Sequence, residues 1–284
     1  MDIREPDITQ DEILKLSDPE FSQENVCIVT GAAGGIGRAA AVAAAANGIM
    51  TVGLDINQEG GKQTQRLARQ LGGQMIFIET DLAKDADMDH AVAEAAKLGR
   101  IRYLFNIAGI QHIDLIEDFP MEKYDQMQRI NLRAAVYMSK LCIPHFKQNH
   151  DGRGVVGNMA SAHGHITTLA KVSYNISKFG MRALAQSISA EGGGLIRGFS
   201  VSTAFVKTAL AMNQIPAQAQ MRGITHEEVV TNVMCGESRL KEMMDPIEVG
   251  NLFVFGISRF ARFLVGGDML FDGGMVLTYA EKKN

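Results

Sequence analysis

Two side chains in the second half of the sequence could exchange a proton with the oxygen of an alcohol or a carbonyl group. Tyr174 and Lys178 lie four residues apart in a predicted helix, a spacing that puts the phenol and the ammonium on one helical face. A nearby cation favours the phenolate, so we expect Lys178 to lower the tyrosine pKa from about 10 toward neutral pH. Ser161 follows a predicted strand, where its hydroxyl could bind the same substrate oxygen. These residues predict general acid–base catalysis.

A buried amide is predicted in the helix that precedes this strand. Asn131 falls on an inward stripe otherwise formed by Tyr124, Met127, Met138 and Cys142. A polar residue on an apolar stripe needs a hydrogen-bond partner, so Asn131 joins the candidate site. A Tyr-x-x-x-Lys pair alone is common on helix surfaces, and the prediction therefore depends on the other motifs of the chain.

A glycine-rich turn near the start of the chain could bind phosphate groups. The segment Thr30–Gly37 (TGAAGGIG) follows an apolar strand and opens an alanine-rich helix. Glycines let the backbone approach a pyrophosphate closely, and the helix N-terminus supplies unpaired N–H groups and a favourable dipole. An ordinary strand-to-helix turn remains the alternative for this motif taken alone.

Asp55 ends the second predicted strand and could select the cofactor. A carboxylate at this point accepts hydrogen bonds from an adenosine ribose diol and repels a 2′-phosphate. No basic residue lies within the glycine turn, and Arg38, which follows it, is expected on the helix surface. These features favour NAD over NADP, although Asp55 could instead be a plain helix cap.

Strand-like and helix-like patterns alternate from Asn25 onward. Strands are predicted at Val26–Thr30, Met50–Asp55, Gln74–Glu79, Arg102–Ile107 and Gly154–Met159, and near Gly198–Ser202 and Asp268–Asp272. Helices are predicted at Ile36–Asn47, Gln58–Leu71, Met88–Leu98 and Glu122–Phe146, and near Ala170–Glu191. Continuous apolar strands that alternate with helices indicate an α/β fold with a parallel sheet covered on both faces.

Two segments lie outside this alternation. Residues 1–24 form an N-terminal extension, in which Thr9 and Glu12 make a plausible capping box for a short helix through Leu16. Residues 205–245 carry helix-like patches without a strand signal, which predicts a mobile insert over an active site. Residues 25–284 otherwise make a single domain.

Composition narrows the function further. Of 284 residues, 46% are apolar and 21% are charged, with a net charge of −4, so we expect no nucleic-acid partner. No run is long and apolar enough to cross a bilayer, and the acidic start of the chain is unlike a signal peptide. Three scattered cysteines indicate reduced core thiols of a cytoplasmic protein, and the histidines show no spacing for a metal.

Together these motifs resemble the short-chain dehydrogenase/reductase family over about residues 25–275. The resemblance implies a Rossmann-type doubly wound sheet and a catalytic tetrad of Asn131, Ser161, Tyr174 and Lys178. It implies that Tyr174 moves the proton, that Lys178 lowers its pKa and binds the nicotinamide ribose, and that Asn131 holds a water. The implied contacts to NAD are Gly31, Ala33, Gly35, Ile36, Asp55, Ile56, Asp81, Leu82, Asn106, Ala108, Tyr174, Lys178, Val206 and Thr208.

The chain departs from the family pattern in three places. Ile107 replaces the second asparagine of the motif that ends the fourth strand, and Thr203-Ala204 stands where the family usually has Pro-Gly. Gly192–Gly194 suggests a loosened helix end. The second and third changes put the rigidity of the nicotinamide site in question.

Several segments are similar to one group of this family, the D-3-hydroxybutyrate dehydrogenases. The resemblance implies that the substrate carboxylate is bound by Gln111, His163, Lys171 and, on a helical lid at residues 205–245, Gln214, with the hydroxyl at Ser161 and Tyr174. Lys171 could instead be a solvated residue at a helix start, and His163 could cap a loop. Phe205 and Met275 replace the group's usual tryptophans, which suggests a roomier pocket.

The resemblance leaves other functions open. One is a reductase or dehydrogenase of a bulkier ketone, steroid, sugar or acyl thioester, which would not need Lys171 and Gln214 together. Another is an inactive cofactor-binding subunit of a hetero-oligomer. By analogy with the family, we expect a homotetramer.

Overall fold

Seven parallel strands form one sheet in the order β3-β2-β1-β4-β5-β6-β7. This computed structural model describes residues 5–213 and 215–277. The strands are β1 (Asn25–Thr30), β2 (Met50–Asp55), β3 (Met75–Glu79), β4 (Arg100–Asn106), β5 (Gly154–Met159), β6 (Ile196–Thr203) and β7 (Asp268–Phe271). The predicted α/β fold with a doubly wound parallel sheet is confirmed.

Helices cover both faces of the sheet. They are α1 (Gly35–Ala46), α2 (Gln58–Gln70), α3 (Asp85–Ala96), α4 (Met121–Gln128), α5 (Ala134–Gln148), α6 (Val172–Glu191), α7 (Ala209–Met212), α8 (Ile215–Arg222), α9 (His226–Glu228) and α10 (Pro246–Ile257). Apolar residues of α1, α2 and α10 pack on one face, and those of α3, α5 and α6 pack on the other. The strands β1, β2, β4, β5 and β6 are therefore buried on both sides, which explains their continuous apolar runs in the sequence.

The strand order reverses between β1 and β4, and this point positions the site. In open α/β sheets, ligands bind beyond the carboxyl ends of the strands at such a reversal. Thr30 joins the two strand ends, because its hydroxyl accepts hydrogen bonds from the N–H groups of Ile107 (2.9 Å) and Ala108 (3.2 Å).

Two helical predictions need correction. The single helix predicted over Glu122–Phe146 contains a π-helical turn at Arg129–Arg133, between α4 and α5. Helix α10 was not predicted, although Asp245 and Glu248 form a capping box with Pro246 at its first turn. It packs closely on α1, since a Cβ atom on Gly250 would lie only 2.8 Å from the backbone of Ala39.

The helix predicted in the N-terminal extension is wrong in length. The Thr9–Glu12 capping box is present, but it caps only a 3₁₀ turn at Gln10–Glu12. Beyond it, the N–H of Leu14 donates to the Asn251 side chain at 2.9 Å, and the N–H of Leu16 donates to Asn47 at 2.9 Å. The backbone stays extended because side chains of α10 and α1 satisfy its hydrogen bonds.

The 205–245 insert has a small apolar cluster of its own. That cluster joins α7, α8 and the π-helical segment Val229–Met234. The two ends of the insert are held together, because Val206 and Met244 form an isolated parallel bridge and Lys207 pairs with Asp245 at 2.8 Å. As the sequence predicts, no strand occurs in the part of the insert that the structure describes.

Other expectations concern the whole chain. Cys27, Cys142 and Cys235 are free and buried, as expected for core thiols. Within residues 5–213 and 215–277, no helix is both long and apolar enough to span a membrane. In the same residues, no group of three or more His, Cys, Asp or Glu side chains is arranged to hold a metal ion.

Candidate active site

Two adjoining cavities open at the carboxyl ends of the strands. The larger, of about 580 Å³, extends from the glycine turn to the end of β2. The smaller, of about 120 Å³, lies over the end of β5 and the start of α6. Ile36, Gly109 and Thr208 line both cavities. An elongated ligand could therefore extend from one cavity into the other.

Glycine is required at two points of the turn that opens the larger cavity. Gly31 has φ +74°, and a Cβ atom there would lie 2.9 Å from the Cα of Ala108. A Cβ on Gly37 would lie 1.9 Å from the carbonyl oxygen of Gly31. The turn consequently leaves the N-terminus of α1 open to an anion.

Asp55 is positioned by backbone donors rather than by capping a helix. Its two carboxylate oxygens accept from the N–H groups of Ala33 (3.0 Å) and Asn57 (2.9 Å). Asn57 is the N-cap of α2, since its side chain accepts from the N–H of Gly60. Asp55 therefore links the end of β2 to the glycine turn, and it lines the larger cavity.

The sequence predicted Arg38 on the helix surface, but in the structure its side chain is held by hydrogen bonds. Its guanidinium donates to the carbonyl oxygen of Ala33 at 2.6 Å and to the hydroxyl of Thr64 at 3.1 Å. The side chain is half-buried and lines the larger cavity. A cation thus contacts the same residue of the turn that Asp55 contacts.

Most of the predicted cofactor residues line the two cavities. Those on the larger one are Gly31, Ala33, Gly35, Ile36, Asp55, Ile56, Asp81, Leu82, Ala108 and Thr208. Those on the smaller one include Tyr174, Lys178 and Val206. Asn106 is the exception: it is buried beneath the wall, where its amide donates to Asn158 at 3.0 Å. Its contribution in this structure is to join β4 to β5.

Tyr174, Lys178 and Ser161 meet in the smaller cavity. The ammonium of Lys178 lies 5.3 Å from the centre of the Tyr174 ring and donates to the carbonyl oxygen of Met159 at 2.8 Å. Tyr174 is hydrogen-bonded to Ser161. The hydroxyl of Ser161 also accepts from the N–H of His163 at 3.2 Å. Helix α6 and the end of β5 thus bring the predicted trio together.

The expected lowering of the Tyr174 pKa is wrong. Burial raises the pKa of the Tyr174 phenol, and only the hydrogen bond from Ser161 opposes this. Burial also lowers the pKa of Lys178 to about 8, because desolvation disfavours its charged form. The helix spacing was right, but the sequence could not show that both groups lose most of their contact with water.

Asn131 lies in the π-helical turn, behind the cavity wall. Its side-chain oxygen accepts from the N–H of Ile110 at 2.8 Å, and its amide donates to the Ile110 carbonyl oxygen at 2.9 Å. A Cβ atom on Gly109 would lie 3.4 Å from the Asn131 side-chain oxygen and 3.9 Å from the Lys178 ammonium. Asn131 and Lys178 therefore both lie near Gly109, and Asn131 fixes the loop after β4.

Three of the four predicted carboxylate-binding residues line the same cavity as Tyr174. They are Gln111, His163 and Lys171, whereas Gln214 lies outside the described residues. The ammonium of Lys171 is half-buried, 5.7 Å from the centre of the Phe205 ring, and burial lowers its pKa. Lys171 is thus a residue at a helix start, as the alternative has it, but its side chain is only partly in contact with water.

The backbone before Lys171 is strained. Ala170 has φ +61°, a left-handed conformation that costs an alanine roughly 1–2 kcal/mol. Its carbonyl oxygen accepts from the N–H of Asp114 at 2.9 Å. This geometry starts α6 at Val172 and places Lys171 on the cavity wall. Ala170 is the only non-glycine residue with positive φ in the described chain, so Ala204, where the family has glycine, is unstrained.

His163 is a neutral group in this cavity. It is 8% exposed, and burial together with the Lys171 and Lys178 cations lowers its pKa to about 4. Its ring and the Tyr174 ring are nearly perpendicular, with 5.9 Å between the ring centres. The neutral His163 imidazole can therefore hydrogen-bond a ligand near the charged Lys171.

Replacing His163 with glutamine should reduce the loss of folding stability that the protein suffers at acidic pH. The pKa of His163 in the folded state lies below its unfolded value of about 6.5. Between these two values the unfolded state binds a proton that the folded state does not. The stability of the wild type therefore falls as the pH drops from about 6.5 to 4. Urea unfolding of wild type, His163→Gln and His90→Gln at several pH values measures this, since His90 is an exposed histidine on α3. Equal loss of stability in all three proteins would contradict the assignment.

Two contributions to the site were missed in the sequence. The carbonyl oxygen of Met159 holds Lys178, which no pattern could reveal. Glu5 of the N-terminal extension reaches the glycine turn, where its carboxylate accepts from the N–H of Gly35 at 2.7 Å. The N-terminus of α1 thus binds an anion through a backbone N–H group, which is the kind of donor that the phosphate groups of a nucleotide cofactor need.

Comparison with known proteins agrees with this geometry. The family model described as "short chain dehydrogenase" matches residues 25–219. The chain therefore belongs to the short-chain dehydrogenase family, whose members are oxidoreductases that act on CH–OH groups with a nicotinamide cofactor.

Among its relatives are two proteins named D-beta-hydroxybutyrate dehydrogenase. The one from Rhizobium meliloti is 31% identical over 87% of this chain and 96% of that enzyme. The one from Cupriavidus necator is 31% identical over 88% of this chain and 96% of that enzyme. A D-threitol dehydrogenase from Mycolicibacterium smegmatis is also 31% identical, over 89% of this chain and 93% of that protein.

Proposed function

We propose that the protein oxidises (R)-3-hydroxybutyrate, or a similar short 3-hydroxy acid, reversibly to the 3-oxo acid with NAD. The observation that carries the proposal is the half-buried Lys171, which lines one small cavity with Gln111, His163, Ser161 and Tyr174. A cation flanked by neutral donors in a partly desolvated site favours a carboxylate through charge-assisted hydrogen bonds. The similarity to the two hydroxybutyrate dehydrogenases supports the same substrate class.

The residues of the smaller cavity divide the chemistry between them. Tyr174 takes the hydroxyl proton in oxidation and returns it in reduction, and Ser161 binds the same oxygen. A bound nicotinamide supplies the acceptor or donor of the hydride. Lys178, 5.3 Å from the centre of the Tyr174 ring, would bind the ribose and help to stabilise the phenolate that burial disfavours, while Asn131 would hold a water of the proton path. Because Lys171 and Tyr174 fix both ends of a four-carbon acid, one face of C3 meets the cofactor and one enantiomer reacts.

The 205–245 insert would act as the substrate lid. Phe205, Val206, Leu210 and Ala211 come from its first part and line the smaller cavity. Gln214 belongs to the same segment and would reach the carboxylate when the insert closes. Acid binding would thereby be coupled to the exclusion of water.

For the cofactor, Asp55→Asn should weaken NAD binding and raise the relative use of NADP. The neutral amide keeps the size of the side chain but no longer repels a 2′-phosphate. Ratios of kcat/KM for NAD and NADP in wild type and variant measure the change. A wild-type enzyme that prefers NADP, with Arg38 binding its 2′-phosphate, would overturn the assignment.

One substrate screen tests the proposed function. Purified enzyme is incubated with NAD and a panel of (R)- and (S)-3-hydroxy acids, their methyl esters and thioesters, and D-threitol, and NADH formation is followed by absorbance. We expect the highest kcat/KM with a short (R)-3-hydroxy acid. Preference for an ester, a thioester or a bulkier alcohol would favour the alternative class, and the D-threitol arm follows from the third relative. Inactivity with every substrate would favour the inactive subunit.

We also propose that the enzyme is a cytoplasmic homotetramer. Buried free thiols fit a reducing compartment. Phe260 and Phe263, which precede the edge strand β7, and Leu270 and Phe271, which lie on it, are exposed, and a subunit interface would cover them. Light scattering of the purified protein should give four times the mass of one chain.

A further inference from the structure

The N-terminal extension places a carboxylate where the cofactor phosphates bind. The Glu5 carboxylate accepts from the N–H of Gly35 at 2.7 Å and lines the larger cavity. A Cβ atom on Gly34 would lie 3.8 Å from its second oxygen. Gly34 and Gly35 are the N-cap and the first residue of α1, which is the part of the turn that offers its N–H groups to a pyrophosphate.

The contacts of the extension with α1 and α10 position Glu5 at the glycine turn. Leu16 bonds to Asn47 at the C-terminal end of α1, whereas Glu5 bonds to Gly35 at its N-terminal end. Between these points, Ile8 and Ile13 are buried in the core cluster of α1 and α10. The extension therefore runs along α1 in the same direction as the helix, from its N-terminal to its C-terminal end, and packing holds it in this register.

We propose that Glu5 is an affinity-setting residue of the cofactor site, which competes with the dinucleotide pyrophosphate for the N-terminus of α1. Both groups are anions that need the same N–H donors, so Glu5 must withdraw before the phosphates bind. The proposal rests on the part of the proposed function that assigns a dinucleotide cofactor, and it does not depend on the substrate.

Tethering makes the competition effective. Because Ile8 is buried three residues away, the carboxylate remains at a high effective concentration near Gly35 even when it has been displaced. The cost of displacing it lowers the affinity for the cofactor in both redox states. When the cofactor dissociates, Glu5 binds the N–H of Gly35 again.

A charge-removing variant separates competition from simple capping of a helix. Glu5→Gln keeps an oxygen that accepts from Gly35 but weakens its attraction, since a hydrogen bond to a charged group is stronger than a neutral one. The matched control is Asp7→Asn, which removes the same charge from an exposed residue of the same extension. Calorimetry on the full-length proteins measures the binding of NAD, ADP and adenosine.

We expect Glu5→Gln to bind NAD and ADP roughly 5- to 10-fold more tightly, the difference between a charged and a neutral hydrogen bond. Adenosine, which has no phosphate, should bind equally well to wild type and variant. Asp7→Asn should leave all three affinities close to wild type. Hydrogen exchange of the peptide that contains Glu5 should increase when ADP is added.

Three results would overturn the proposal. They are weaker or unchanged binding of ADP by Glu5→Gln, an equal gain in Asp7→Asn, and an equal gain for adenosine. All these measurements are independent of catalysis. If the substrate screen fails while ADP affinity rises in Glu5→Gln, the substrate assignment is wrong and the role of Glu5 stands.

Discussion

Replacing Tyr174 with phenylalanine is expected to lower the rate of alcohol oxidation by about 10²–10⁴-fold, the usual contribution of a general acid–base group. Phenylalanine keeps the ring beside His163 and Lys178, so NADH binding should change little. Single-turnover kinetics measures the chemical step, and NADH fluorescence measures binding.

The matched control for this prediction is Tyr137→Phe on α5. Tyr137 donates its hydroxyl hydrogen to Asp89 at 3.0 Å, away from both cavities, so its loss should leave the rate near that of wild type. Residual activity above roughly a tenth in Tyr174→Phe would show that another group moves the proton.

Replacing Lys171 with alanine is expected to lower kcat/KM for a 3-hydroxy acid. The loss should correspond to roughly 2–5 kcal/mol of transition-state stabilisation, which is typical of losing one partner of a buried charge pair. A neutral 3-hydroxy ester has no carboxylate for Lys171 to bind. The ester should therefore be a poorer substrate of the wild type and should lose little more in the variant.

The control for the lysine is Lys140→Ala, which removes an exposed cation of α5 and should affect neither substrate. The decisive quantity is the ratio of the acid rate to the ester rate in each protein. If Lys171→Ala impairs acid and ester equally, the carboxylate site is wrong and the bulkier-ketone function is favoured.

The inner strands of the sheet were predictable because they are covered on both faces. Met50–Asp55 and Gly154–Met159 have the predicted bounds, since an apolar run between turn residues marks such a strand clearly. Helix α10 was missed because it is apolar on most of its surface, so it lacks the alternation of polar and apolar faces that reveals an exposed helix. Its capping box was the available signal.

At the site, residue types and spacing predicted which groups meet but not their electrostatics. The i,i+4 spacing of Tyr174 and Lys178 follows from helix geometry alone, whereas their pKa shifts depend on burial by distant segments. The contact between Glu5 and Gly35 likewise joins residues in separate segments, and no local pattern encodes it. Contacts that follow from local helix geometry are therefore encoded in the sequence pattern, whereas the contact of Glu5 is not.

The π-helical turn at Arg129–Arg133 makes the number of residues in the α4–α5 helix as important as their identity. A π turn holds one residue more than an α-helical turn, and such turns occur frequently at functional sites. Deleting one residue of this turn would let the helix run as a regular α-helix with its two flanks almost unrotated, because the π turn absorbs the extra residue, but the side chains within the turn would point in new directions. Asn131 would then turn away from Ile110 without any change in residue type. Relatives with a one-residue gap in this helix would therefore lack this arrangement, even where every residue of the tetrad is present.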